Sequence, residues 1–314
     1  MNHINKRDFL KLLLIIPMGI LIYEVTKFIK YNKLTWTSIN VCDENQQGDA
    51  HLISKGNKYF LIDGGKYELA SSHLIPYLKS KNIKHLDGVM INHPHSDHYG
   101  GIKSLFENNI NISKLYMNMP TPAQIAREWW GGTYQDLLDI KILAINNKTD
   151  ILPIIMGDKF MFDDKSYIEV LYIYDGINTP VGETDINDMS AITMIYDNNN
   201  KFLLTGDLNN KLGSYLAKDS INIQADILKV PHHGTEGLAP NSFFDKVKPK
   251  DIIVTSPENL WRSKRSSRVR NLATNNNYGT YINGLHGHIT IESDESGYSI
   301  ITEKKAKNIF EGIS

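Results

Sequence analysis

The sequence is poor in the features that define several common classes of protein. Its 314 residues include one cysteine, Cys42, which excludes internal disulfide bonds, cysteine-rich zinc sites and iron–sulfur clusters. It also lacks an excess of charge of either sign, with 34 basic and 35 acidic side chains. A nearly neutral chain has no general attraction for polyanions, so a polyanionic ligand would have to bind a local patch.

A long hydrophobic run is also missing, because the apolar segment near the N-terminus, Leu12–Tyr23, is short. It is uncharged and follows Lys6, Arg7 and Lys11. Its length resembles the hydrophobic region of a signal peptide more than a membrane span of about 20 residues. No small-residue cleavage site follows, so we expect an uncleaved, signal-like membrane anchor with a hydrophobic helix over residues 1–34. This anchor would hold the body outside the bacterial cytoplasm; a helix packed on the domain is the alternative.

Beyond this segment, strand-like and helix-like patterns alternate along the chain without a clear break. Apolar runs of strand length include Tyr59–Ile62, Leu86–Ile91 and Ala191–Tyr196. Helical periodicity appears in Gly101–Asn108, among other segments. Interleaved strands and helices favour one compact α/β domain, which we place at residues 35–314.

The most informative segment carries four metal-binding side chains within a short loop. It reads Ile91-Asn92-His93-Pro94-His95-Ser96-Asp97-His98-Tyr99-Gly100-Gly101 and lies between a predicted strand and a predicted helix. Ligand groups converge at strand ends in α/β proteins, and imidazole and carboxylate groups suit zinc, manganese or iron. One loop cannot fold all four around one tetrahedral ion. It can serve two adjacent ions, with His93 and His95 on the first and Asp97 and His98 on the second.

This His-x-His-x-Asp-His signature resembles that of the metallo-β-lactamase fold superfamily. More narrowly, the motifs look like those of the metallo-β-lactamase domain of the competence protein ComEC and its free-standing relatives. The supporting segments, in the family order, are Gln47-Gly48-Asp49-Ala50, Leu61-Ile62-Asp63-Gly64-Gly65, Asn187-Asp188-Met189-Ser190, Leu204-Thr205-Gly206-Asp207 and Leu228-Lys229-Val230-Pro231-His232-His233-Gly234-Thr235. The resemblance implies an αββα four-layer sandwich, here preceded by the N-terminal hydrophobic helix.

The resemblance also implies roles for individual residues. Two divalent ions, with zinc favoured and manganese as the alternative, would be bound by His93, His95, Asp97, His98, Asp207 and His233. Asp207 would bridge both ions, and His233 rather than His232 would complete the second. Asp97 and His232 are the implied catalytic side chains, with His232 acting on the substrate or orienting a ligand. Asp63 would hold the histidine loop by hydrogen bonds.

Substrate contacts are expected from two further segments. Asn187 and Ser190 stand where many superfamily members place another histidine ligand, and their side chains bind metals poorly. We therefore expect an open or water-filled position on the first ion, with both residues facing the substrate. Trp261 precedes a cationic run and would stack on a flat group, while Arg262 and Arg265 would contact phosphate oxygens. A solvated basic helix face is the alternative.

Together these features predict a binuclear metal-dependent hydrolase, specifically a phosphodiesterase or nuclease-like enzyme that uses a metal-bound hydroxide. Its partners would be a phosphate ester, including nucleic acid, and the membrane through the N-terminal segment. The alternatives are a non-catalytic binding module of the same fold and a β-lactamase-like hydrolase of another ester or amide. The family's Asn-x-Tyr-Gly-His-Pro segment is missing, and His286 and His288 either replace its histidine or are ordinary turn and strand residues.

Overall fold

The structure is a computed structural model that describes residues 33–173 and 185–312 of the chain. Its strands are β1 (Leu34–Ser38), β2 (His51–Lys55), β3 (Lys58–Ile62), β4 (His85–Leu86), β5 (Gly88–Met90), β6 (Asn111–Ile112), β7 (Lys114–Tyr116), β8 (Asp150–Leu152), β9 (Lys159–Met161), β10 (Ser166–Tyr172), β11 (Ile192–Asp197), β12 (Asn200–Leu204), β13 (Ile227–Lys229), β14 (Asp251–Val254), β15 (Gly279–Ile282), β16 (Ile289–Asp294) and β17 (Gly297–Thr302). Its α-helices are α1 (Tyr67–Ala70), α2 (Leu74–Ser80), α3 (Ser96–Glu107), α4 (Pro122–Arg127), α5 (Tyr134–Asn146), α6 (Asn210–Lys218), α7 (Asn241–Val247), α8 (Glu258–Arg262), α9 (Ser267–Asn275) and α10 (Asn283–His286). Short 3-10 turns occur at Trp129–Gly131, Ile186–Met189, Pro231–Gly234 and Lys264–Ser266.

Two mixed sheets contain most of the strands. The eight-stranded sheet has the order β17-β16-β1-β2-β3-β5-β7-β8, and the seven-stranded sheet has the order β15-β14-β13-β12-β11-β10-β9. Strands β3, β5, β7 and β8 run parallel, as do β12 to β15 in the second sheet. The remaining neighbours in both sheets pair antiparallel. Each sheet therefore has a parallel half, whose strand ends gather loops at one edge.

The molecule has four layers, helices, sheet, sheet and helices, with an apolar core between each neighbouring pair. One core joins the eight-stranded sheet to helices α2, α3 and α5, and a second joins the seven-stranded sheet to α6, α7 and α9. The third lies between the two sheets. Alternate residues of β3 show this directly, because Phe60 and Ile62 face the core between the sheets whereas Leu61 faces the helices. The predicted α/β architecture, with helices outside two facing sheets, agrees with this arrangement.

The predicted membrane-anchored localisation is contradicted by the structure. Within residues 33–173 and 185–312, no helix is long and apolar enough to cross a membrane. The longest helix in these ranges, α5, has 13 residues and therefore spans about 20 Å. The hydrocarbon core of a bilayer is about 30 Å thick. The predicted anchor and its hydrophobic helix fall on residues 1–34, which lie outside the described residues except for Lys33 and Leu34. We therefore withdraw the membrane placement.

Candidate metal centre

The ligand-type side chains lie at the carboxyl ends of strands from both sheets. His93 follows β5 of the eight-stranded sheet, whereas Asp207 follows β12 and His233 follows β13 of the seven-stranded sheet. Asn92 also contacts the seven-stranded sheet, because its Nδ2 donates over 2.7 Å to the carbonyl oxygen of Ala191, just before β11. Parallel strand ends thus bring together residues that are more than 100 positions apart in the sequence.

Helix α3 begins inside the histidine motif. His95 is its extended N-cap residue, so Asp97 and His98 lie in the first helical turn. Gly101 allows this turn to pack against the loop after β3, since a Cβ atom there would lie 2.0 Å from the carbonyl oxygen of Gly64. The Gly-Gly pair that follows the motif is therefore a steric requirement for placing these ligands.

Four side chains form the centre of the site, namely Asp97, His98, Asp207 and His233. One donor atom from each lies within 4.8 Å of the others, which is close enough to hold a metal ion. His233 Nε2 is 3.1 Å from Oδ2 of Asp207 and 3.4 Å from Oδ2 of Asp97. His98 Nε2 is 3.3 Å from Oδ1 of Asp207. Asp207 thus lies between two imidazoles, a position suited to a bridging ligand.

In each central imidazole, one ring nitrogen makes a hydrogen bond to the protein and the other makes none. Nδ1 of His98 donates to Oδ2 of Asp63 over 2.8 Å, and Nδ1 of His233 donates to the carbonyl oxygen of Thr255 over 3.0 Å. Nε2 of both histidines is buried without a hydrogen-bond partner in the part of the chain that the structure describes. Buried polar atoms rarely stay unpaired, and metal-binding histidines usually donate their other N–H to a protein acceptor. The donor set therefore fits divalent metal ions.

His93 and His95 extend the site beyond its four central residues. Both ring nitrogens of His93 are buried and unpaired within the described ranges, and Nε2 lies 3.8 Å from Oδ2 of Asp207. Nε2 of His95 donates to Oε2 of Glu128 over 3.1 Å, which leaves Nδ1 of that ring as the nitrogen that could face an ion. No motif surrounds Glu128, so the sequence alone gives no signal for it.

Burial and charge act in opposite directions on the pKa values of the site. Burial alone lowers the pKa of His98, but the carboxylates of Asp207 and Asp63 outweigh it and raise that pKa to about 10. Burial raises the pKa of Asp207, but the imidazoles of His233 and His98 hold it well below its ordinary value. Imidazolium–carboxylate attraction therefore holds the metal-free cluster together. A divalent ion bound there would replace protons on the same atoms.

A buried cation, Lys229, stands behind the ligands. Its ammonium donates to the carbonyl oxygen of Gly206 over 2.8 Å, contacts the carboxylate of Asp49 and lies 3.5 Å from Oδ1 of Asp207. Burial lowers the pKa of Lys229, but the carboxylates of Asp49 and Asp207 outweigh it and raise that pKa, so the amine stays charged. Asp49 and Lys229 both lie in sequence segments that carry the family resemblance. That resemblance is the feature of the sequence that points to these two residues.

His232 lies beside the centre rather than within it. His232 and His233 have positive φ angles of 50° and 52°, which are uncommon for residues other than glycine. This turn separates their ring centroids by 6.3 Å. Nδ1 of His232 has no hydrogen-bond partner among the residues that are described, and burial lowers the pKa of the ring. A partly exposed, neutral imidazole therefore stands at the edge of the site.

The predicted substrate contacts Asn187 and Ser190 have different environments. The Ser190 hydroxyl is buried, donates to the carbonyl oxygen of Asn187 over 2.7 Å and accepts from the backbone N–H of Asp207 over 2.9 Å. Ser190 thus positions the Asp207 loop, which corrects its expected role as a substrate contact. Oδ1 of Asn187 is buried and has no partner in the described residues, and its expected contact with a substrate stays a prediction.

The predicted basic platform is corrected by burial and by internal hydrogen bonds. Trp261 is 0% exposed and its Nε1 donates to a backbone carbonyl, so its ring cannot stack on a substrate. Arg262 donates to Glu258 and to two carbonyl oxygens near the C-terminus, so it ties α8 to that segment. Only the predicted role of Arg265 stays open, because its side chain is 53% exposed and lies 3.6 Å from Glu236, in the loop after β13.

His286 and His288 serve the backbone rather than the metal centre. Nδ1 of His286 accepts from the backbone N–H of Ile282 over 3.0 Å, and Nδ1 of His288 accepts from that of Asn40 over 3.0 Å. Neither histidine belongs to the groups within the described ranges that could hold a metal ion. They are therefore ordinary turn and strand residues.

Comparison with known proteins agrees with this geometry. Residues 44–137 match the family model described as the metallo-beta-lactamase superfamily. ComE operon protein 3 of Bacillus subtilis is 25% identical over 195 residues, which cover 62% of this chain and 23% of that protein. Competence protein ComA of Neisseria gonorrhoeae is 23% identical over 212 residues, covering 67% of this chain and 26% of that protein. The chain thus spans about a quarter of the length of these relatives.

Solved structures support the same fold. The metallo-beta-lactamase fold protein YhfI from Bacillus subtilis aligns with a TM-score of 0.52 and 14% identity, covering 83% of this chain and all of that chain. CmlA, a diiron β-hydroxylase from Streptomyces venezuelae, aligns with a TM-score of 0.52 and 10% identity, covering 83% of this chain and 54% of that chain. At these identities the likeness concerns the fold alone. The resemblance that the motifs indicated is confirmed.

Proposed function

We propose that this chain, which has the metallo-β-lactamase fold, is a binuclear metal-dependent hydrolase of phosphodiesters. The observation that carries the proposal is the cluster of Asp97, His98, Asp207 and His233, whose buried Nε2 atoms lack hydrogen-bond partners in the described part of the protein. When bound, two divalent ions supply an activated water nucleophile and stabilise charge that develops on the substrate. We assign zinc first and manganese second, because both accept nitrogen and oxygen donors.

The ligands would be held in place by residues that touch no substrate. Asp63 and Glu128 accept hydrogen bonds from His98 and His95 and so fix which nitrogen of each ring faces the ions. Lys229 remains charged beside Asp207 and offsets part of the negative charge that the carboxylates concentrate there. These contacts keep the ligands oriented before any substrate arrives.

The substrate would meet His232, Asp97 and Asn187. The His232 side chain is partly exposed and burial lowers its pKa, so a neutral imidazole can hydrogen-bond a substrate oxygen. Asp97 stays ionised, since the nearby imidazoles of His233 and His98 outweigh the effect of burial and lower its pKa, and it can orient the attacking water. A phosphodiester suits this site because its negative charge is shared by two non-bridging oxygens, which two neighbouring divalent cations would attract. The resemblance to the ComEC domain supports the same chemistry.

The test uses the full chain, freed of metal by a chelator and then supplied with zinc, manganese or iron. Hydrolysis of bis(4-nitrophenyl) phosphate and of nitrocefin is measured for the wild type and for Asp207→Ala. The exposed Asp164 provides a matched control, Asp164→Ala. We expect metal-dependent phosphodiester hydrolysis that falls by orders of magnitude in Asp207→Ala and is unchanged in Asp164→Ala.

The other outcomes separate the alternative functions. Hydrolysis of nitrocefin without hydrolysis of the phosphodiester would identify a β-lactamase-like enzyme. Binding of metal without hydrolysis of either compound would identify a binding module and overturn the proposal.

A further inference from the structure

Two neighbouring tryptophans differ sharply from the other two in the chain. Trp36 and Trp261 are completely buried, whereas Trp129 is 78% exposed and Trp130 is 64% exposed. Exposing large apolar rings to water is unfavourable, and a contiguous exposed patch usually marks a surface that binds something. The proposed phosphodiester hydrolysis does not use these two rings.

The turn that carries the tryptophans is anchored on its C-terminal side. Trp129–Gly131 forms a 3-10 turn between α4 and α5, and the capping box of Thr133 and Asp136 begins α5 two residues after the turn. The two indole rings lie edge to face, with their centroids 6.2 Å apart. When a ligand stacks on rings that already pack against each other, few side-chain torsions have to become fixed. Little binding free energy is then lost as conformational entropy.

The same turn touches the metal centre. Glu128, which precedes Trp129, accepts the hydrogen bond from Nε2 of His95. Gly131, which follows Trp130, packs against the same imidazole, since a Cβ atom there would lie 2.3 Å from Cδ2 of His95. The tryptophans therefore stand at the rim of the candidate active site, between two residues that contact a proposed ligand.

A cleft of about 630 Å³ adjoins the metal loop beside this rim. It reaches Ser96 of the metal loop and Tyr99, whose hydroxyl packs against Gly132. Its charged lining is mixed, with Lys66, Glu68, Lys103, Asp136 and Asp139. The cleft has room for a nucleotide-sized group, and its two cations and three carboxylates give no general attraction for polyanions. Selection of a substrate at this rim would therefore depend on the aromatic rings.

We propose that Trp129 and Trp130 stack on unpaired bases next to the scissile phosphate, so that the substrate is single-stranded nucleic acid. The inference rests on the proposed phosphodiester hydrolysis and deepens it. Bases in a single strand present their flat faces to aromatic side chains, and each such stack contributes about 1–3 kcal/mol. Bases inside a duplex already stack on one another and present only their edges, so a duplex would gain nothing from this platform.

The test measures binding separately from hydrolysis. The full, chelator-treated chain is titrated with a twelve-residue oligothymidylate, with an abasic oligomer of equal length and with a duplex, while tryptophan fluorescence is followed. Because Trp36 and Trp261 are buried, quenching by a stacked base reports on the exposed pair. We expect the oligothymidylate to bind about 10-fold or more tightly than the other two ligands. The fluorescence quenching should disappear in Trp129→Ala/Trp130→Ala, together with that preference.

Control variants separate stacking from a general loss of structure. Trp130→Phe keeps a stacking ring and should retain most of the affinity, and Phe310→Ala removes a 40% exposed ring elsewhere and should change nothing. The double variant should melt at the wild-type temperature, because neither ring is buried.

The possible failures point to different conclusions. Equal binding and equal cleavage of the base-containing and abasic oligomers would overturn the platform and leave phosphodiester hydrolysis intact. Tryptophan-dependent binding without any cleavage would support the platform and overturn the proposed function. Tryptophan-dependent binding to phosphatidylglycerol vesicles, with no preference among the oligomers, would overturn the proposal in favour of a lipid surface.

Discussion

The ammonium group of Lys229 contacts the carboxylate of Asp49 in a part of the protein where neither side chain reaches solvent. The same carboxylate lies 3.3 Å from Nδ1 of His233, and the same ammonium lies 3.5 Å from Asp207. Each member of the pair thus lies beside one proposed metal ligand: Asp49 beside the imidazole of His233 and Lys229 beside the carboxylate of Asp207. Because both charges are removed from water, each depends on the other for compensation.

We expect Lys229→Met to destabilise the metal-free protein, because it leaves the buried Asp49 carboxylate with only His233 nearby to compensate its charge. Loss of one partner of a buried pair costs about 3–5 kcal/mol of the free energy of unfolding. The double variant Asp49→Asn/Lys229→Met should recover part of this loss. Urea unfolding of the two single variants and the double variant measures the coupling. Additive effects would show that the two groups do not depend on each other.

Asp207→Ala should reduce bound metal as well as activity. The carboxylate lies near His98, His233 and His93, so its removal takes a donor from both proposed ion positions. The wild type should carry about two equivalents of divalent metal, the number that a bridging carboxylate serves. Elemental analysis after dialysis gives the count. Unchanged metal content in the variant would refute the bridging role.

Glu128→Gln should weaken metal binding without removing a ligand. Glu128 accepts from Nε2 of His95, and loss of such an orienting partner typically costs about 10–100-fold in metal affinity. Glu107→Gln, at an exposed position on α3, is the control and should bind metal like the wild type. Competition with a chromophoric chelator measures both affinities. Equal values for the two variants would mean that Glu128 does not orient the ring.

Asp188 should make the stability of the protein depend on pH. Burial raises its pKa to about 7 and outweighs the hydrogen bonds it accepts, including one from the backbone N–H of Asn209. This folded-state pKa lies above the unfolded value, so the folded protein binds more protons between about pH 4 and pH 7, and stability falls as pH rises through that window. Asp188→Asn removes this titration.

Urea unfolding at pH 5 and pH 8 in the presence of chelator tests the effect of Asp188. The free energy of unfolding of Asp188→Asn relative to the wild type should rise by about 1–4 kcal/mol between these pH values. A difference that stays constant with pH would contradict the raised pKa.

Arg262→Ala should affect the stability of the protein, whereas Arg265→Ala should affect substrate binding. Arg262 donates to Glu258 and to carbonyl oxygens near the C-terminus, so its loss should cost about 1–2 kcal/mol of stability and leave oligonucleotide hydrolysis unchanged. Arg265 is exposed beside Glu236, so its loss should change stability by less than about 0.5 kcal/mol. If Arg265 contacts phosphate, KM for an oligonucleotide should rise and its salt dependence weaken. Thermal melts and KM values at two salt concentrations distinguish the two variants.

The ligand cluster was predictable because its chemistry is concentrated in local motifs at strand ends. His93, His95, Asp97 and His98 stand within six consecutive residues, and the structure places them at the end of β5 and the start of α3. The position of such a motif in the fold is predictable, because the strand before it and the helix after it are both evident from the sequence pattern.

The surroundings of the site were not predictable in the same way. Glu128 meets His95 across 33 positions, and nothing near Glu128 in the sequence marks that contact. Trp261 stands beside several cations and has the local pattern of an exposed stacking residue, yet it is buried in the core beneath the seven-stranded sheet. Trp129 and Trp130 have a single cation nearby in the sequence, Arg127, and they are the exposed pair. Exposure is decided by long-range packing, which a local pattern does not record.

The division of the ligands between the two sheets has a mechanical consequence. His93 to His98 follow a strand of one sheet, and Asp207 and His233 follow strands of the other. An ion bound by both groups would therefore link the two sheets. Pulling the halves apart would then require release of the ion, and the binding free energy would be added to resistance against unfolding. The supply of divalent metal in the surroundings would therefore set how long the folded protein survives.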